Sequence, residues 1–343
     1  MTLKQIAEEA GVSISTVSRV INNTNPKVAS QEVRDRIWEI VRRTGYTPNK
    51  SAQNLKRGYG HSLINSRSLA CLFARTPNAP NDPFFSTLAK SVEVEAYKQN
   101  YILKSSFTSF DITKSETCHL ILDNNVNGVV ILGRCDKPTL KFLKQHFHYV
   151  VYTGLNGIDA NYDQILCDGY DASVCAMEYL ISLGHKHIGY VGETFDENRY
   201  LGYKSILKKY GLPFDDSYIA SISFSSNGGY IGTKTLLEKN QNITAIFCGN
   251  DITAIGAIRA IKDLGLKIPK DISIISIDDI DTAQYLSPML TTVHIPVEEM
   301  GKTAAKILID RIHGGHTLPM KINLPCHLAK RESCTSPKKK DLC

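Results

Sequence analysis

Apolar residues recur at helical spacing in two short stretches at the start of the chain. Ile6, Ala7 and Ala10 share one face of the first stretch, and Val17 and Val20 share one face of the second. Such spacing is typical of an amphipathic helix whose apolar side is buried. The pattern therefore predicts two short helices that pack together through these residues.

Polar residues at the ends of both stretches support this prediction. Thr2 and Gln5 have the spacing of a capping box at the start of the first helix. Gly11 gives the backbone the freedom for a tight turn, and Ser13 is placed to cap the second helix. Two helices joined by such a turn form a helix-turn-helix.

The second helix carries a polar stripe on the side away from its apolar face. Ser15, Ser18, Arg19 and Asn22 lie at helical spacing, with Ile14 at the leading end. Hydroxyl and amide groups reach phosphates, and an Arg can hold a guanine edge with two hydrogen bonds. The stripe therefore predicts a helix that lies in the major groove of DNA. The alternative is a set of small polar side chains that only face water.

These residues resemble the signature of the lactose/galactose repressor (LacI/GalR) family. The matching positions are Ala7-x-x-Ala10-Gly11-Val12-Ser13-x-x-Thr16-Val17-Ser18-Arg19-Val20-x-Asn22. The resemblance implies a transcriptional repressor that binds a pseudo-palindromic operator as a homodimer, with one helix-turn-helix on each half-site. It further implies contacts with bases for Ile14, Ser15 and Arg19, and with phosphates for Thr2, Ser13, Thr16, Ser18 and Asn22.

A short segment further along the chain resembles the hinge helix of the same family. About two helical turns at 51–57 end at Gly58, and a helix of this length is marginal in water by itself. The resemblance implies that the segment becomes ordered on DNA, with one Leu inserted into the minor groove. An ordinary linker is the alternative. The hinge residues expected to contact DNA are Asn49, Ser51, Ala52 and Leu55.

From residue 69 onward, short apolar runs alternate with helical segments. Strands are predicted at 69–73, 101–105, 128–132, 149–152, 164–167, 187–191, 245–248, 272–277, 291–295 and 320–324. Helices are predicted between most of them, for example at 87–99, 172–183, 200–209, 252–264 and 297–313. The alternation predicts doubly wound parallel sheets, and its length favours two similar lobes.

The chain therefore divides into four predicted parts. An all-α helix-turn-helix DNA-binding domain takes residues 1–48, and a hinge helix with its linker takes 49–67. A two-lobed α/β body at 68–330 binds the effector and dimerises, and the family resemblance implies that it is periplasmic-binding-protein-like. Residues 331–343 form a polar tail. This tail lacks the Leu heptads of a coiled coil, so a dimer is expected rather than a tetramer.

Polar residues follow several of the predicted strands. In doubly wound sheets, ligands bind in the crevice beyond the carboxyl ends of the strands. Asn250 and Asp251 follow one strand, Asp278 follows the next, and Arg199 lies beyond an earlier one. Amides, carboxylates and a planar Arg fork suit the paired hydroxyls of a sugar. These motifs also resemble the Asn-Asp, Asp-Asp and Arg-x-x-Gly-Tyr elements that contact effector hydroxyls in sugar-responsive members of the family.

Aromatic residues complete the expected effector site. Phe84 and Phe85 follow the first strand and can stack on the apolar face of a pyranose, with core packing as the alternative. By resemblance, Phe224 occupies the place of an aromatic platform. Thr153 occupies a place where the lactose repressor has an acidic ligand contact, which indicates a different effector. The effector contacts expected are therefore Phe84, Phe85, Thr153, Arg199, Phe224, Asn250, Asp251 and Asp278.

Three further segments resemble the evolved-β-galactosidase repressor type within the family. They lie at 81–85, 223–230 and 276–280. The resemblance implies a galactoside as the small sugar effector. It also favours an inducer, which releases the repressor from DNA, over a corepressor.

Charge and cysteine content agree with a DNA-binding protein of the cytoplasm. Residues 1–60 hold ten Lys and Arg against five Asp and Glu, whereas residues 61–329 hold 25 against 27. A basic N-terminal part on a slightly acidic body favours a polyanionic partner. The nine scattered cysteines include no CxxC pair, which predicts reduced thiols and no zinc site. No membrane span or signal peptide is expected.

The sequence motifs of common enzymes are absent. No GxGxxG follows a predicted strand, and neither a Walker loop nor a GxSxG elbow occurs. We therefore expect no enzyme activity and no cofactor. The alternative function is a periplasmic-type sugar-binding protein without DNA regulation. The predicted helix-turn-helix and the lack of a signal peptide argue against that alternative.

Overall fold

The computed structural model describes residues 2–21, 29–44, 67–74, 82–107 and 126–338. The chain separates into two compact units, Met1–Ile64 and Asn65–Cys343. Several residues expected to bind DNA lie outside the described ranges, and their roles stay predictions. They are Asn22, Asn49, Ser51, Ala52 and Leu55.

Three helices form the described part of the first unit: α1 (Leu3–Ala10), α2 (Ile14–Ile21) and α3 (Gln31–Thr44). The capping box of α1 is present, because the backbone N–H of Gln5 donates to Thr2 Oγ1 at 3.4 Å and that of Thr2 donates to Gln5 Oε1 at 2.8 Å. Gly11 has a left-handed φ of 66°, which glycine adopts without strain. The predicted helix-turn-helix is confirmed.

The helices of the first unit enclose a small apolar core. Ile6, Val17 and Ile37, one from each helix, are each 0% exposed. Burying a side chain of this size contributes about 1.5–3 kcal/mol. Because these residues face inward, the polar stripe of α2 faces away from the core.

The described residues of the second unit form two six-stranded sheets. The strands of the first are β1 (Ser68–Phe73), β2 (Ile102–Phe107), β3 (Gly128–Leu132), β4 (Val150–Gly154), β5 (Asp163–Leu166) and β11 (Lys321–Asn323). They are all parallel in the order β11-β5-β4-β3-β1-β2. The helices that the structure describes in this first lobe are α4 (Pro83–Lys98), α5 (Lys137–His146) and α10 (Val297–Ile312).

The second sheet forms the second lobe. Its strands are β6 (Ile188–Gly192), β7 (Ile219–Ser221), β8 (Ala245–Cys248), β9 (Ser273–Asp278), β10 (Thr291–His294) and β12 (His327–Ala329). The order is β12-β10-β9-β8-β6-β7, and only the β10–β12 pair at one edge is antiparallel. The helices of this lobe are α6 (Gly169–Ser182), α7 (Asn198–Lys209), α8 (Ser226–Lys239) and α9 (Asp251–Asp263).

The chain passes between the two lobes three times. It leaves the first sheet after β5, returns after β10 to form α10, and leaves again between β11 and β12. Helix α10 therefore packs on α4 and on β3, β4 and β5 of the first lobe, although it follows β10 in sequence. These three connections allow both lobes to contribute residues to one crevice.

Asp163 joins distant parts of the first lobe. Its fully buried carboxylate accepts hydrogen bonds from Arg311 Nη2 at 2.8 Å and from the backbone N–H of Met320 at 2.7 Å. Burial by itself raises the pKa of this carboxyl, but the donors outweigh that effect and hold the pKa below its ordinary value. The charge thereby fixes β5, the end of α10 and the start of β11 together.

All ten predicted strands are present, with ends within two residues of those expected. The short strands β7 and β12 were not predicted. Helix α4 begins at Pro83 rather than at the predicted residue 87, because Asp82 caps it through a hydrogen bond from the N–H of Phe84 at 2.9 Å. Within the described ranges, no helix has both the length and the apolar content needed to cross a bilayer.

Candidate functional site

The side of α2 away from the core carries the described residues of the polar stripe. Ser15 and Arg19 are exposed, Ser18 is half-buried and Ile14 is 47% exposed. An apolar side chain beside hydroxyls and an Arg matches the mixed surface of a major groove, in which thymine presents a methyl group. The structure thus places these residues on one accessible surface, and their contacts with DNA remain predictions.

Hydroxyl groups cluster at the beginning of α2. Ser13 Oγ accepts a hydrogen bond from the backbone N–H of Thr16 at 3.1 Å, as the sequence predicted. It also lies 2.7 Å from Ser15 Oγ and 2.8 Å from Thr16 Oγ1. The positive end of the helix dipole and these hydroxyls suit a phosphate group. Thr2, the other predicted phosphate contact, is exposed at the beginning of α1.

A cavity of about 280 Å³ lies between the lobes, beyond the carboxyl ends of the strands. Both lobes contribute to it, and most of the contributing residues lie within two residues of the end of a strand. The lining residues are Asp82, Phe84, Phe85, Gly133, Arg134, Gly154, Leu155 and Asn156 from the first lobe, and Glu193, Arg199, Ser223, Phe224, Asn250 and Asp278 from the second. Such a crevice is where doubly wound folds bind ligands.

Arg199 is the most strongly held polar residue of this cavity. Its Nε and Nη2 donate to the two carboxylate oxygens of Glu197 at 2.7 and 3.0 Å, and Nη1 donates to the carbonyl of Gly249 at 2.8 Å. The guanidinium carbon lies 4.2 Å from the ring centre of Phe224. Because an Arg has five N–H groups, two remain after these contacts for a ligand.

The charge of Arg199 is maintained although the side chain is only 4% exposed. Burial favours the neutral form, but the carboxylate of Glu197 opposes this effect and raises the pKa of the guanidinium above its ordinary value. Glu197 was not predicted from the sequence. The available signal for Glu197 was its position two residues before Arg199, at the start of a helix.

Asn250 and Asp278 reach the cavity for different local reasons. Asn250 caps α9, and its Oδ1 accepts from the N–H of Thr253 at 3.0 Å, which leaves the amide NH₂ as a donor. Asp278 has a φ of 125°, a strained value for a residue with a side chain. The next residue, Asp279, is left-handed at 59° and turns away to accept a hydrogen bond from Arg331 Nη2 at 2.6 Å. The two adjacent acids therefore face different partners.

Phe84 and Phe85 both line the cavity and both belong to the core. Their rings meet edge to face with centres 5.2 Å apart, and they are 5% and 7% exposed. The two alternatives considered for these rings are thus compatible. Phe224 lies on the opposite lobe, against Arg199.

Two of the expected effector contacts do not line the cavity. Thr153 is fully buried within β4, and the residues that follow it, Gly154, Leu155 and Asn156, line the cavity instead. Asp251 is also fully buried. It accepts hydrogen bonds from Thr292 Oγ1 at 2.7 Å, from the N–H of Ile280 at 2.8 Å and from Ser276 Oγ.

The buried carboxylate of Asp251 connects parts of the second lobe and does not line the cavity. Burial raises the pKa of Asp251 above its ordinary value, and the three donors oppose that rise. These donors come from β9, from β10 and from the segment after β9, so the carboxylate joins α9 to the sheet. It therefore supports the start of α9, where the neighbouring Asn250 reaches the cavity.

Other lining residues were missed, although the rule that selected Asn250 also applies to them. Arg134 follows β3, Asn156 follows β4 and Glu193 follows β6. Each is a polar residue at the carboxyl end of a parallel strand. Asp82 and Ser223 line the cavity beside the predicted aromatic contacts Phe84 and Phe224, and their position in the same segments was the available signal.

Comparison with known families agrees with both units. Residues 2–49 match the model of bacterial regulatory proteins of the lacI family. Residues 177–334 match the periplasmic binding protein-like domain. A sugar-binding protein without DNA regulation, the alternative from the sequence, does not account for the first match.

Curated and solved relatives cover from 79% to 97% of the chain. The HTH-type transcriptional repressor PurR of Photorhabdus laumondii is 30% identical over 341 residues, which is 97% of this chain and 96% of that protein. The regulator CelR in complex with cellobiose has a TM-score of 0.73 at 25% identity, covering 97% of this chain and 99% of that one. A LacI family regulator from Enterococcus faecium with bound ribose has a TM-score of 0.70 at 30% identity, covering 79% and 100%.

These relatives are transcriptional regulators, which confirms the expectation that the chain is not an enzyme. Their folds also confirm the expected helix-turn-helix followed by a two-lobed, periplasmic-binding-protein-like body. Since a repressor 30% identical to the chain aligns with 97% of it, the chain belongs to the LacI family of transcriptional repressors.

Proposed function

We propose that this repressor binds a pseudo-palindromic operator as a homodimer and is released from it by a small sugar of the galactoside class. The sugar binds in the cavity between the lobes of the body. Ile14, Ser15 and Arg19 read bases. The phosphates are held by Thr2, Ser13, Thr16, Ser18 and Asn22, and the hinge contacts come from Asn49, Ser51, Ala52 and Leu55.

The convergence of sugar-binding groups on one cavity carries this proposal. Arg199, Asn250 and Asp278 offer donors and an acceptor to vicinal hydroxyls. Phe84 and Phe224 offer ring faces from opposite lobes to the apolar side of a pyranose. Structural relatives solved with cellobiose and with ribose support a sugar in general. The galactoside class rests on the resemblance of three sequence segments.

The sugar acts on DNA binding through the closure of the lobes. DNA favours the arrangement in which the hinge segments of both copies are ordered, and the sugar favours a different arrangement of the body. Two ligands that prefer different states weaken each other's binding, typically by about 1–3 kcal/mol or roughly 5–150-fold. An inducer needs no direct contact with the DNA-binding residues.

The first experiment identifies the operator and the sugar with the full-length chain. An operator is selected from random duplexes, and its affinity is measured by fluorescence anisotropy with lactose, methyl β-galactoside, glucose or ribose present. We expect a galactoside to weaken operator binding roughly 5–150-fold and to bind the free protein in calorimetry.

The matched control for this experiment is Arg19→Ala, which should lose operator affinity and keep sugar binding. If another sugar acts while both galactosides are inert, only the galactoside class is wrong. If no sugar binds, the effector assignment as a whole fails. If no duplex is selected, the operator-binding half fails.

A further inference from the structure

Arg134 of the first lobe contacts the second lobe through a single loop. It follows β3, and its side chain reaches the segment 193–197 between β6 and α7. Nη1 donates to the carbonyls of Phe195 at 2.8 Å and Asp196 at 2.6 Å, and Nη2 donates to Glu193 Oε2 at 2.6 Å. One guanidinium thus binds three acceptors of the opposite lobe.

The contacts of Arg134 are stronger than those of a typical surface ion pair. The side chains of Arg134 and Glu193 are only 26% and 20% exposed, so the solvent screens the pair incompletely. The planar guanidinium also matches several acceptors at once, which a lysine ammonium does not do.

A second residue of the first lobe binds the same loop. Asn156 Nδ2 donates to the carbonyl of Asp196 at 3.3 Å, and Asn156 Oδ1 accepts from the backbone N–H of Asn198 at 3.4 Å. Arg134, Asn156 and the loop 193–198 together are called the interlobe clamp here. The five hydrogen bonds described above, three from Arg134 and two from Asn156, all join one lobe to the other.

The loop held by the clamp also positions the effector-binding Arg199. Glu197, within the loop, binds Arg199 through both carboxylate oxygens, and Glu197 Oε2 lies 3.9 Å from Arg134 Nη1. The side chain of Glu197 is 0% exposed. Arg134 and Arg199 therefore lie on either side of one buried carboxylate, and a displacement of the loop changes the position of both.

We propose that Arg134 is a positioning residue that stabilises the closed arrangement of the lobes and, through Glu197, the orientation of Arg199. Part of the free energy of closure then comes from the protein itself. The apparent affinity for a ligand that needs the closed arrangement scales with the fraction of molecules already in it. The proposal rests on the proposed function only where a sugar is used as the probe.

The test compares Arg134→Met and Arg134→Lys with Lys137→Met in the full-length chain. Lys137 is an exposed cation three positions further on and serves as the matched control. Hydrogen exchange of the peptide that covers 193–198 is measured without sugar, and sugar affinity is measured by calorimetry. In Arg134→Met we expect about tenfold faster exchange of this peptide and about tenfold weaker sugar binding.

Arg134→Lys should show smaller changes in exchange and in sugar affinity than Arg134→Met, since an ammonium replaces the charge but not the fork of the guanidinium. A residue that only stabilised the fold would speed exchange throughout the body rather than in this loop. Should Arg134→Met not fold, Glu193→Gln is used instead, because it removes the charge of one acceptor. We expect it to speed exchange of the same peptide by a smaller factor. Unchanged exchange at 193–198 in the folded variants would overturn the proposal for Arg134. Failure of all sugars to bind would overturn the proposed function, and the exchange result would still decide whether Arg134 holds the loop.

Discussion

At the scale of single residues, the site depends on a buried ion pair. Arg199 and Glu197 are both nearly inaccessible to solvent, and each compensates the desolvation of the other. Removing one partner of such a pair leaves an uncompensated buried charge, which is strongly destabilising. A substitution that tests ligand binding at this position should therefore keep the positive charge.

Arg199→Lys is the substitution that meets this condition. The lysine retains a cation beside Glu197 but has no guanidinium fork, so it cannot keep the carbonyl of Gly249 and a ligand hydroxyl together. We expect sugar affinity, measured by calorimetry, to fall by about tenfold or more, with operator affinity in the absence of sugar unchanged. Arg259→Lys, on the exposed side of α9, is the control. Equal sugar affinity in Arg199→Lys and the control would remove Arg199 from the site.

At the scale of elements, two helix starts reach the cavity because α8 and α9 pack unusually closely. A Cβ at Gly256 would lie 1.8 Å from the carbonyl oxygen of Ser226, and one at Gly229 would lie 2.1 Å from that of Thr253. Only glycine allows this backbone contact. It places the beginning of α8, next to Phe224, beside the beginning of α9 at Asn250.

Gly256→Ala tests this packing. In an exposed helix the change would stabilise the helix by roughly 1 kcal/mol, but here the added methyl group meets backbone atoms of α8. Overpacking of this kind lowers the free energy of unfolding by about 1–3 kcal/mol. This change is measured by urea denaturation, from the unfolding transition of the body. The control is Thr235→Ala on the exposed side of α8, for which a change within about 0.5 kcal/mol is expected. A stabilised Gly256→Ala would show that the helices can separate without cost.

Sequence patterns predicted the elements better than the contacts between them. Strands buried on both faces, such as β3, are continuous apolar runs and were found with their correct ends. The edge strands β7 and β12 are short and partly exposed, so neither a continuous apolar run nor clear alternation identified them. Arg134 could have been selected by its position after a strand, but its partners lie some sixty residues away and depend on how the lobes meet. Asp251 was expected beside Asn250 in the cavity but is buried, because the sequence does not reveal which of two adjacent polar residues is turned inward.

At the scale of the whole molecule, the uneven charge separates the two binding activities. Residues 1–60 carry an excess of five positive charges, whereas residues 61–329 are close to neutral. Counterion release makes operator affinity fall steeply with salt, with a log–log slope of roughly −0.9 per phosphate neutralised. A neutral sugar in the body releases no such ions. Salt therefore changes the affinity for the operator strongly and the affinity for the sugar little.

Linkage then gives a final prediction that requires no mutation. At each salt concentration, operator affinity is measured by anisotropy with and without saturating sugar, and sugar affinity by calorimetry with and without saturating operator. Because coupling is reciprocal, the ratio of operator affinities must equal the product of the sugar-affinity ratios at the two sites of the dimer, and we expect a value of roughly 5–150. Operator affinity should fall about 10³-fold or more between 50 and 200 mM salt, if six or more phosphates are neutralised per dimer, while sugar affinity of the free protein stays nearly constant. If sugar affinity does not depend on the operator while the sugar still removes the protein from DNA, the sugar does not act through the body, and the two-state coupling proposed here is wrong.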